Sequence, residues 1–452
     1  MSSTLLATTR TNTPSVTELA SGAKADRNRA IDFYRAVAMI AVAVGHWMAM
    51  HIALDADGGL IAGNALEHAP GMAIMTWLFQ VMPLFFVVGG FSSAASLDSF
   101  TACAAVEQPA RPQDWVIARL RRMLAPAVTL ATTWAVLIAG GFAIGQGSLI
   151  AVGATAAAIP LWFLANYTID TAIAPYVLPL FRKHPVALPA VGIAIFASLE
   201  AARFAGVPML PHLNWILGWL LFQVAGFAWR DGLLPTGKRL AAIAAGFWTL
   251  AIAAVTVGPW PVSMVHFPGL ENSPTHPPSL ALMLFGAAYS ATAIVAAPAI
   301  SRWLAGRPRA WAAVVGANAV AMSVYLWHFT AAIAATAVFY AMRWLPTHGI
   351  ASGVVGTGAW WLHKLPLMLV ATIILAGIVA KVMPIERNAL LAERTPFAGS
   401  ALSMLALAGV LSTALKQWAH GTFVVAAICI AVIVGLWHGV IKTGSLLDRI
   451  TR

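Results

Sequence analysis

The chain has 452 residues, of which 60% are hydrophobic and only 10% are charged, and its mean hydropathy is +0.81. These values exclude an ordinary soluble domain and are typical of an all-α polytopic membrane protein. The net charge of +11 does not indicate a nucleic-acid partner, because the basic residues lie at the ends of apolar runs instead of forming a stripe. The two cysteines, Cys103 in a polar loop and Cys429 in an apolar run, fit neither a disulfide nor a zinc pattern.

The first 26 residues are polar and rich in Ser and Thr. They lack the apolar core of a signal peptide, so we expect a disordered cytoplasmic tail. About twelve runs that follow are apolar and long enough to cross a bilayer. They are 30–52, 71–96, 120–144, 148–181, 186–205, 212–229, 239–258, 279–301, 310–340, 361–383, 397–415 and 420–441.

The run 148–181 has two readings, one broken span or two short spans around Asn166. As one span it places twenty-two of the twenty-seven Lys and Arg residues in the cytoplasm, whereas two spans give twelve inside and fourteen outside. The positive-inside rule therefore favours one span, with both termini cytoplasmic. An interruption inside a span is tolerated only where it packs in protein or lines a cavity.

Arg35 and His46 lie in the first apolar run, and ionisable residues rarely enter hydrocarbon without a function. On a helix they share one face about 16 Å apart, and Asp32 lies close enough to hold the guanidinium of Arg35. His46 is a candidate general base. The alternative is a core histidine that bonds to a neighbouring helix.

The third run begins with a basic pair, Arg119 and Arg122, one helical turn apart. This spacing lets two guanidinium groups converge on phosphates. The alternative is a topology anchor that binds nothing.

Two later runs contain further polar groups. Asn166 and Asp170 lie on one helix face, and an unpaired aspartate in a membrane is costly, so we expect Asp170 to meet Arg35, His46 or another polar group. Tyr325 and His328 share a face with Ser323 to one side, which predicts either acceptor-binding groups or a polar packing patch.

Two outer loops, 53–70 and 258–278, carry histidines. His266 and His276 match no compact metal-ligand spacing, so we expect no metal there and favour a loop stiffened by proline. We expect four residues near or in the first loop to be solvated: His51, Asp55, Glu67 and His68. The alternative is that they line the rim of an acceptor entrance.

Taken in order, these segments resemble the acyltransferase 3 family, multi-span enzymes that move an acyl group from a thioester onto a hydroxyl. The arginine, ten spacers and histidine of Arg35 and His46 match its signature. Arg119, Arg122 and Pro126 match its Arg-x-x-Arg motif and following proline. Three looser segments agree: 82–92, in which Gly89 replaces the usual serine, Leu-Trp-Phe-Leu at 161–164, and the late helix at 316–328.

The resemblance implies a membrane O-acyltransferase that moves an acyl group, most often acetyl, from cytoplasmic acyl-CoA to a carbohydrate, glycolipid or small metabolite. Acyl-CoA would be a co-substrate, with no permanently bound cofactor, and membrane lipid a further partner. Residues 27–385 would form a ten-helix core, and residues 386–452 two additional helices and a short tail. The implied roles are catalysis for His46, Arg35 and Asp170, donor binding for Arg119 and Arg122, and substrate binding for Asp32, Asn166, Trp162, Ser323, Tyr325 and His328.

Two other functions fit twelve spans with a few buried charges: a secondary transporter and a flippase for a lipid-linked sugar. Against a transporter, the two halves of the chain show no similarity. The loop 97–115 also lacks the Gly-x-x-x-Asp-Arg type of motif of major-facilitator carriers.

Overall fold

The computed structural model describes residues 28–107 and 112–391, which are mostly α-helical. The helices are α1 Arg29–Ala49, α2 Thr76–Phe79, α3 Met82–Glu107, α4 Pro112–Ala143, α5 Gly147–Ala157, α6 Leu161–Lys183, α7 Ala187–Phe204, α8 Asn214–Arg230, α9 Gly237–Thr256, α10 Leu280–Ala305, α11 Pro308–Ala341, α12 His348–Gly353 and α13 Gly358–Leu391. One antiparallel hairpin pairs β1 Met50–Leu54 with β2 Leu60–Asn64, with His51 opposite Gly63. Short 3-10 turns occupy Ala65–Glu67, Pro70–Met75 and Leu210–Leu213.

Within the described residues, eight helical segments are long and apolar enough to cross a membrane. The chain is therefore a polytopic membrane protein, but the prediction of twelve spans is not confirmed. Each of the ten runs predicted before residue 386 contains a helix. Two of these helices are too short to count as membrane spans. Helix α8 has only 17 residues, and the apolar part of α4 is limited to Thr129–Ala143. The predicted tail and the last two runs lie outside the described residues.

The interrupted span is one candidate crossing, Leu149–Lys183, as the charge distribution predicted. The break lies at residues 158–160 and not around Asn166, which sits inside α6. Proline at 160 has no backbone N–H to continue the helical pattern. The hydroxyl of Tyr325 donates a hydrogen bond to the Pro160 carbonyl at 2.5 Å, so the break is packed against α11.

Helices α3 and α8 approach each other closely at two glycines. A Cβ on Gly90 would lie 2.0 Å from the carbonyl oxygen of Gln223, and one on Gly226 would lie 2.0 Å from that of Val87. Neither position has room for a side chain, so small residues allow the two backbones to pack directly.

Ion pairs tie α3, α6 and α8 together at one end of the bundle, which we call the arginine end. Arg182 contacts Asp98 and Asp231 at 2.8 Å each, and Arg230 lies 3.7 Å from Asp98. The hydrogen bond from Arg182 holds the pKa of the Asp231 carboxyl below its usual value. The other end carries the β1–β2 hairpin and the loop 258–278, and we call it the hairpin end.

Candidate active site

Two histidines from distant parts of the chain form the centre of the site. His46 Nδ1, near the end of α1, lies 2.8 Å from Nε2 of His328 in α11, and the two rings stack with centroids 5.1 Å apart. His328 is fully buried, and its Nδ1 lies 2.5 Å from the backbone carbonyl oxygen of Tyr325. The indole of Trp47 donates to the His328 carbonyl at 2.9 Å and so fastens α1 to α11 at this level.

These contacts determine where the protons of the pair lie. A carbonyl oxygen can only accept, so Nδ1 of His328 must carry the hydrogen that bonds to Tyr325. In a neutral imidazole the other nitrogen is then an acceptor, and Nε2 of His328 accepts a hydrogen bond from Nδ1 of His46. Nε2 of His46 is left unprotonated, which is the state that a general base requires.

A cavity of about 530 Å³ at the hairpin end reaches His46. Its walls come from the end of α1, the hairpin, residues between 65 and 82, the loop 265–276, Ile159, one residue each of α6 and α8, and two residues of α11. No Asp, Glu, Lys or Arg occurs among the described residues that line it. His46 therefore lies where an otherwise uncharged cavity meets the bundle core.

His266 and His276 also line this cavity, a position that sequence reasoning missed. Their rings stack with centroids 4.7 Å apart, and His276 also packs edge-on against Trp215 at 4.9 Å. Burial lowers the pKa of His266, which favours its neutral form. No group of three His, Cys, Asp or Glu among the described residues is arranged to hold a metal. The ten-residue spacing of the pair was the only available signal, and it does not reveal that the loop folds over His46.

Two of the predicted arginines meet at Ser92 of α3, toward the arginine end. Arg35 donates to the Ser92 hydroxyl at 2.7 Å, and Arg119 lies 3.4 Å from the Ser92 backbone oxygen. Arg119 also interacts electrostatically with Arg35 and with the exposed Arg122. Asp32 lies 3.7 Å from Arg35, as its position three residues earlier predicted.

This arrangement separates Arg35 from His46. Arg35 bonds to Ser92 while His46 bonds to His328, and ten residues of helix lie between Arg35 and His46, a rise of about 16 Å. Neither Arg35 nor Arg119 lines the cavity. The site thus consists of an arginine cluster (Arg35, Arg119 and Arg122) and a histidine pair at the base of the cavity.

The sequence model of the acyltransferase 3 family, described as an acyltransferase domain, matches residues 28–381. The chain belongs to the acyltransferase 3 family. The matched region contains the arginine cluster, the histidine pair and every described residue that lines the cavity. Comparison with curated proteins and with solved structures gave no match. The protein is therefore a membrane acyltransferase, and this assignment replaces the transporter and flippase alternatives.

The departure from the family pattern at Gly89 has a steric explanation. A Cβ at this position would lie 2.7 Å from Cε2 of Tyr167, so the usual serine would require the Tyr167 ring to move. Ser92, one turn further along α3, supplies a hydroxyl instead. It accepts from Arg35 and donates to the Val88 carbonyl at 2.8 Å.

Asp170 of this acyltransferase is completely buried, and neither of its carboxylate oxygens has a hydrogen-bond partner among the described residues. The expected contact with Arg35 or His46 is therefore not found. The backbone carbonyl of Asp170 accepts a hydrogen bond from the side-chain amide of Gln223 at 3.1 Å. One turn earlier, the Asn166 amide donates to the backbone of Trp162, whose own side chain lines the cavity.

Replacing Asp170 by asparagine is expected to leave acyl transfer within about threefold of the parental rate and to maintain or raise Tm. Burying an unpaired carboxylate is costly, and the isosteric amide removes that cost. Differential scanning fluorimetry and a transfer assay on the same preparation measure both quantities. Asp32→Asn is the matched control, because it removes a carboxylate that does pair with Arg35. A rate loss above tenfold in Asp170→Asn would show that the carboxylate takes part in the reaction.

The remaining polar groups of the late helix have structural partners. Ser323 donates to Glu386 of α13 at 2.5 Å, and the Tyr325 hydroxyl bonds to Pro160, although Tyr325 also lines the cavity. Of the three substrate-binding candidates in this helix, only His328 contacts His46 through its side-chain nitrogen.

His51 corrects one expectation about the first outer loop. It is only 3% exposed and packs against the rings of His68 and His348, with centroids 4.4 and 5.6 Å away. Burial, followed by these neighbours and Lys364, lowers the pKa of His51 to about 4, so it is uncharged at neutral pH. The prediction of a solvated loop residue was wrong here because β1 directs the side chain of His51 inward.

Proposed function

We propose that this membrane acyltransferase moves an acyl group, with acetyl as the simplest case, from cytoplasmic acyl-CoA to a hydroxyl, with His46 as the general base. The acceptor is a carbohydrate, a glycolipid or a small metabolite. The observation that carries the proposal is the histidine pair at the base of the cavity, since its hydrogen bonds leave Nε2 of His46 free. A chain of two imidazoles ending on a carbonyl resembles the base and orienting group of other acyl-transfer sites.

In the proposed reaction, Nε2 of His46 takes the proton of the acceptor hydroxyl as its oxygen attacks the thioester carbon. The tetrahedral intermediate then breaks its C–S bond, and the departing thiolate takes the proton from His46. His328 accepts the Nδ1 hydrogen of His46 throughout and holds the ring in place. The apolar walls exclude water, which favours alcohol over water as the acceptor.

The arginine cluster is the proposed site for the phosphates of CoA. Arg35 and Arg119 converge on Ser92, and Arg122 lies one turn along α4, so three cations line one region toward the arginine end. Since α1 runs from this region to His46, the pantetheine arm would follow it to bring the thioester to the base. Arg35 therefore acts in donor binding in this proposal and not at the reacting carbonyl.

Arg119→Ala is expected to raise KM for acetyl-CoA about tenfold while kcat changes less than threefold, because phosphate contacts are made equally in the ground and transition states. The measurement is initial-rate kinetics with acetyl-CoA and with acetyl-pantetheine, which lacks the phosphates. The variant should lose most of the preference for the full donor. Arg239→Ala, an exposed arginine outside the cluster, serves as the control. An unchanged preference in Arg119→Ala would leave this arginine as a topology anchor.

We further propose that the arginine end faces the cytoplasm of an inner membrane, because Lys and Arg concentrate there. Cysteine introduced at exposed Asp57 in the hairpin should react with an impermeant maleimide in intact cells. Cysteine at exposed Lys183 should react only after permeabilisation. The background is Cys103→Ser/Cys429→Ser, which removes both native cysteines. The opposite labelling pattern would reverse the proposed orientation.

Function is tested with the purified full chain in lipid nanodiscs, acetyl-CoA and candidate alcohols. Release of free CoA thiol together with an equal amount of acetyl ester, detected by mass spectrometry, would support an O-acyltransferase. Ester formation that does not require a CoA thioester would contradict the proposed donor.

A further inference from the structure

The chemistry of the cavity walls restricts the acceptor. Most of the lining is apolar and comes from methionine, aromatic and aliphatic side chains: Val42, Met48, Ala49, Met50, Leu66, Met72, Met75, Phe79, Met82, Ile159, Trp162, Trp215, Val265, Phe267 and Phe329. Five of these are methionines, which are flexible and polarisable and adapt to apolar ligands of varied shape. A volume of about 530 Å³ lies in the range of sites that enclose a small organic molecule.

Several polar side chains in the wall already have protein partners. Thr76 donates to the Ala73 carbonyl at 2.6 Å and accepts from the backbone of Met264 at 2.8 Å. The Gln80 amide nitrogen donates to the Met264 carbonyl at 2.7 Å. Asn64 caps the following turn by accepting from the backbone of Leu66 at 3.0 Å.

The two loop histidines add polarity to the cavity wall. His266 and His276 stack on each other, and in the neutral form an imidazole offers one donor and one acceptor. The described lining contains no carboxylate, a group that sugar-binding sites use to accept from several hydroxyls at once. One reacting hydroxyl can be matched by His46, and the loop histidines offer partners to at most a few others, so most hydroxyls of a polyol would meet apolar walls.

We propose that the acceptor is a compact apolar alcohol with one reacting hydroxyl, bound in this cavity with its hydroxyl on His46. This inference rests on the proposed function and selects the small-metabolite class among its acceptors. The cavity lies at the hairpin end, away from the arginine cluster, so donor and acceptor approach His46 from opposite directions. Each additional hydroxyl left unpaired in the apolar wall would weaken binding about tenfold.

Cyclohexanol and inositol test the proposal, because they share a six-carbon ring and differ only in the number of hydroxyls. With the full chain in nanodiscs and acetyl-CoA as donor, we expect kcat/KM for cyclohexyl acetate formation to exceed that for inositol acetate by at least about 100-fold. Mass spectrometry of the two esters gives the rates. A preference for inositol, or equal rates with both, would overturn the proposal while leaving the acyltransferase function intact.

A cavity-filling variant tests whether the preference arises in this cavity. Ala49 lines it, so Ala49→Phe should raise KM for cyclohexanol about tenfold and leave KM for acetyl-CoA unchanged. Ala190 is exposed on α7 away from the cavity, and Ala190→Phe should change neither constant. A rise in the donor KM alone in Ala49→Phe would show that the cavity holds the acyl chain and would overturn the proposal. The proposed function itself would be overturned if the parental protein acylated neither of these alcohols and none of a broad panel of sugars and lipids.

Discussion

Replacement of His46 by alanine is expected to reduce acyl transfer by about 10²-fold or more, with the protein still folded and inserted in the membrane. Nε2 of His46 is the nitrogen that the hydrogen bonds of the pair leave free, so its removal deletes the group that takes the acceptor proton. The donor KM should change little, since the arginine cluster lies about 16 Å away along α1. Steady-state kinetics with acetyl-CoA, on protein checked by size-exclusion chromatography, measure the effect.

A second substitution separates chemistry from structure. His46→Gln keeps an amide that can donate to His328 but provides no base, and it should lose as much rate as His46→Ala while its Tm stays near the parental value. Exposed His184, near the arginine end, provides a control in His184→Ala, which should keep the full rate. Near-parental transfer by either His46 variant would rule out the general-base assignment.

Replacement of His328 by leucine is expected to lower kcat by about 10- to 100-fold without raising KM for the donor. His328 acts as a positioning residue, since it accepts the Nδ1 hydrogen of His46 and so orients Nε2 toward the acceptor. Leucine removes that acceptor and leaves the His46 donor unsatisfied in the bundle core. The measurement is kcat and KM for acetyl-CoA, together with Tm, because His328 is completely buried.

Glutamine at position 328 decides between a positioning role and simple packing. The amide oxygen of His328→Gln can accept a hydrogen bond from His46, whereas leucine cannot. The kcat of His328→Gln should therefore be at least about tenfold higher than that of His328→Leu. The difference in kcat between the two variants should not follow the difference between their Tm values. Equal kcat values for glutamine and leucine would show that acceptance of the His46 hydrogen does not contribute to catalysis.

The sequence alone determined the class, the helices and the family. Hydropathy acts over about twenty consecutive residues, so the apolar runs predicted helices within the described region without knowledge of packing. The number of Lys and Arg residues on each side favoured one span for 148–181, and Leu149–Lys183 is one candidate crossing. The Arg35–His46 spacing is a property of a single helix, which is why it could be recognised as the family signature, and the helix Arg29–Ala49 contains both residues.

Only the tertiary structure decided which groups meet. His328 lies 282 residues after His46, and the loop with His266 and His276 folds over a cavity whose lining residues are spread from Val42 to Phe329. Arg35 has Ser92 as a partner, and the carboxylate of Asp170 has no hydrogen-bond partner among the residues that the structure describes. Such contacts depend on the rotation and depth of each helix relative to its neighbours. Those are set by close packing, such as the glycine contacts between α3 and α8, and not by local residue patterns.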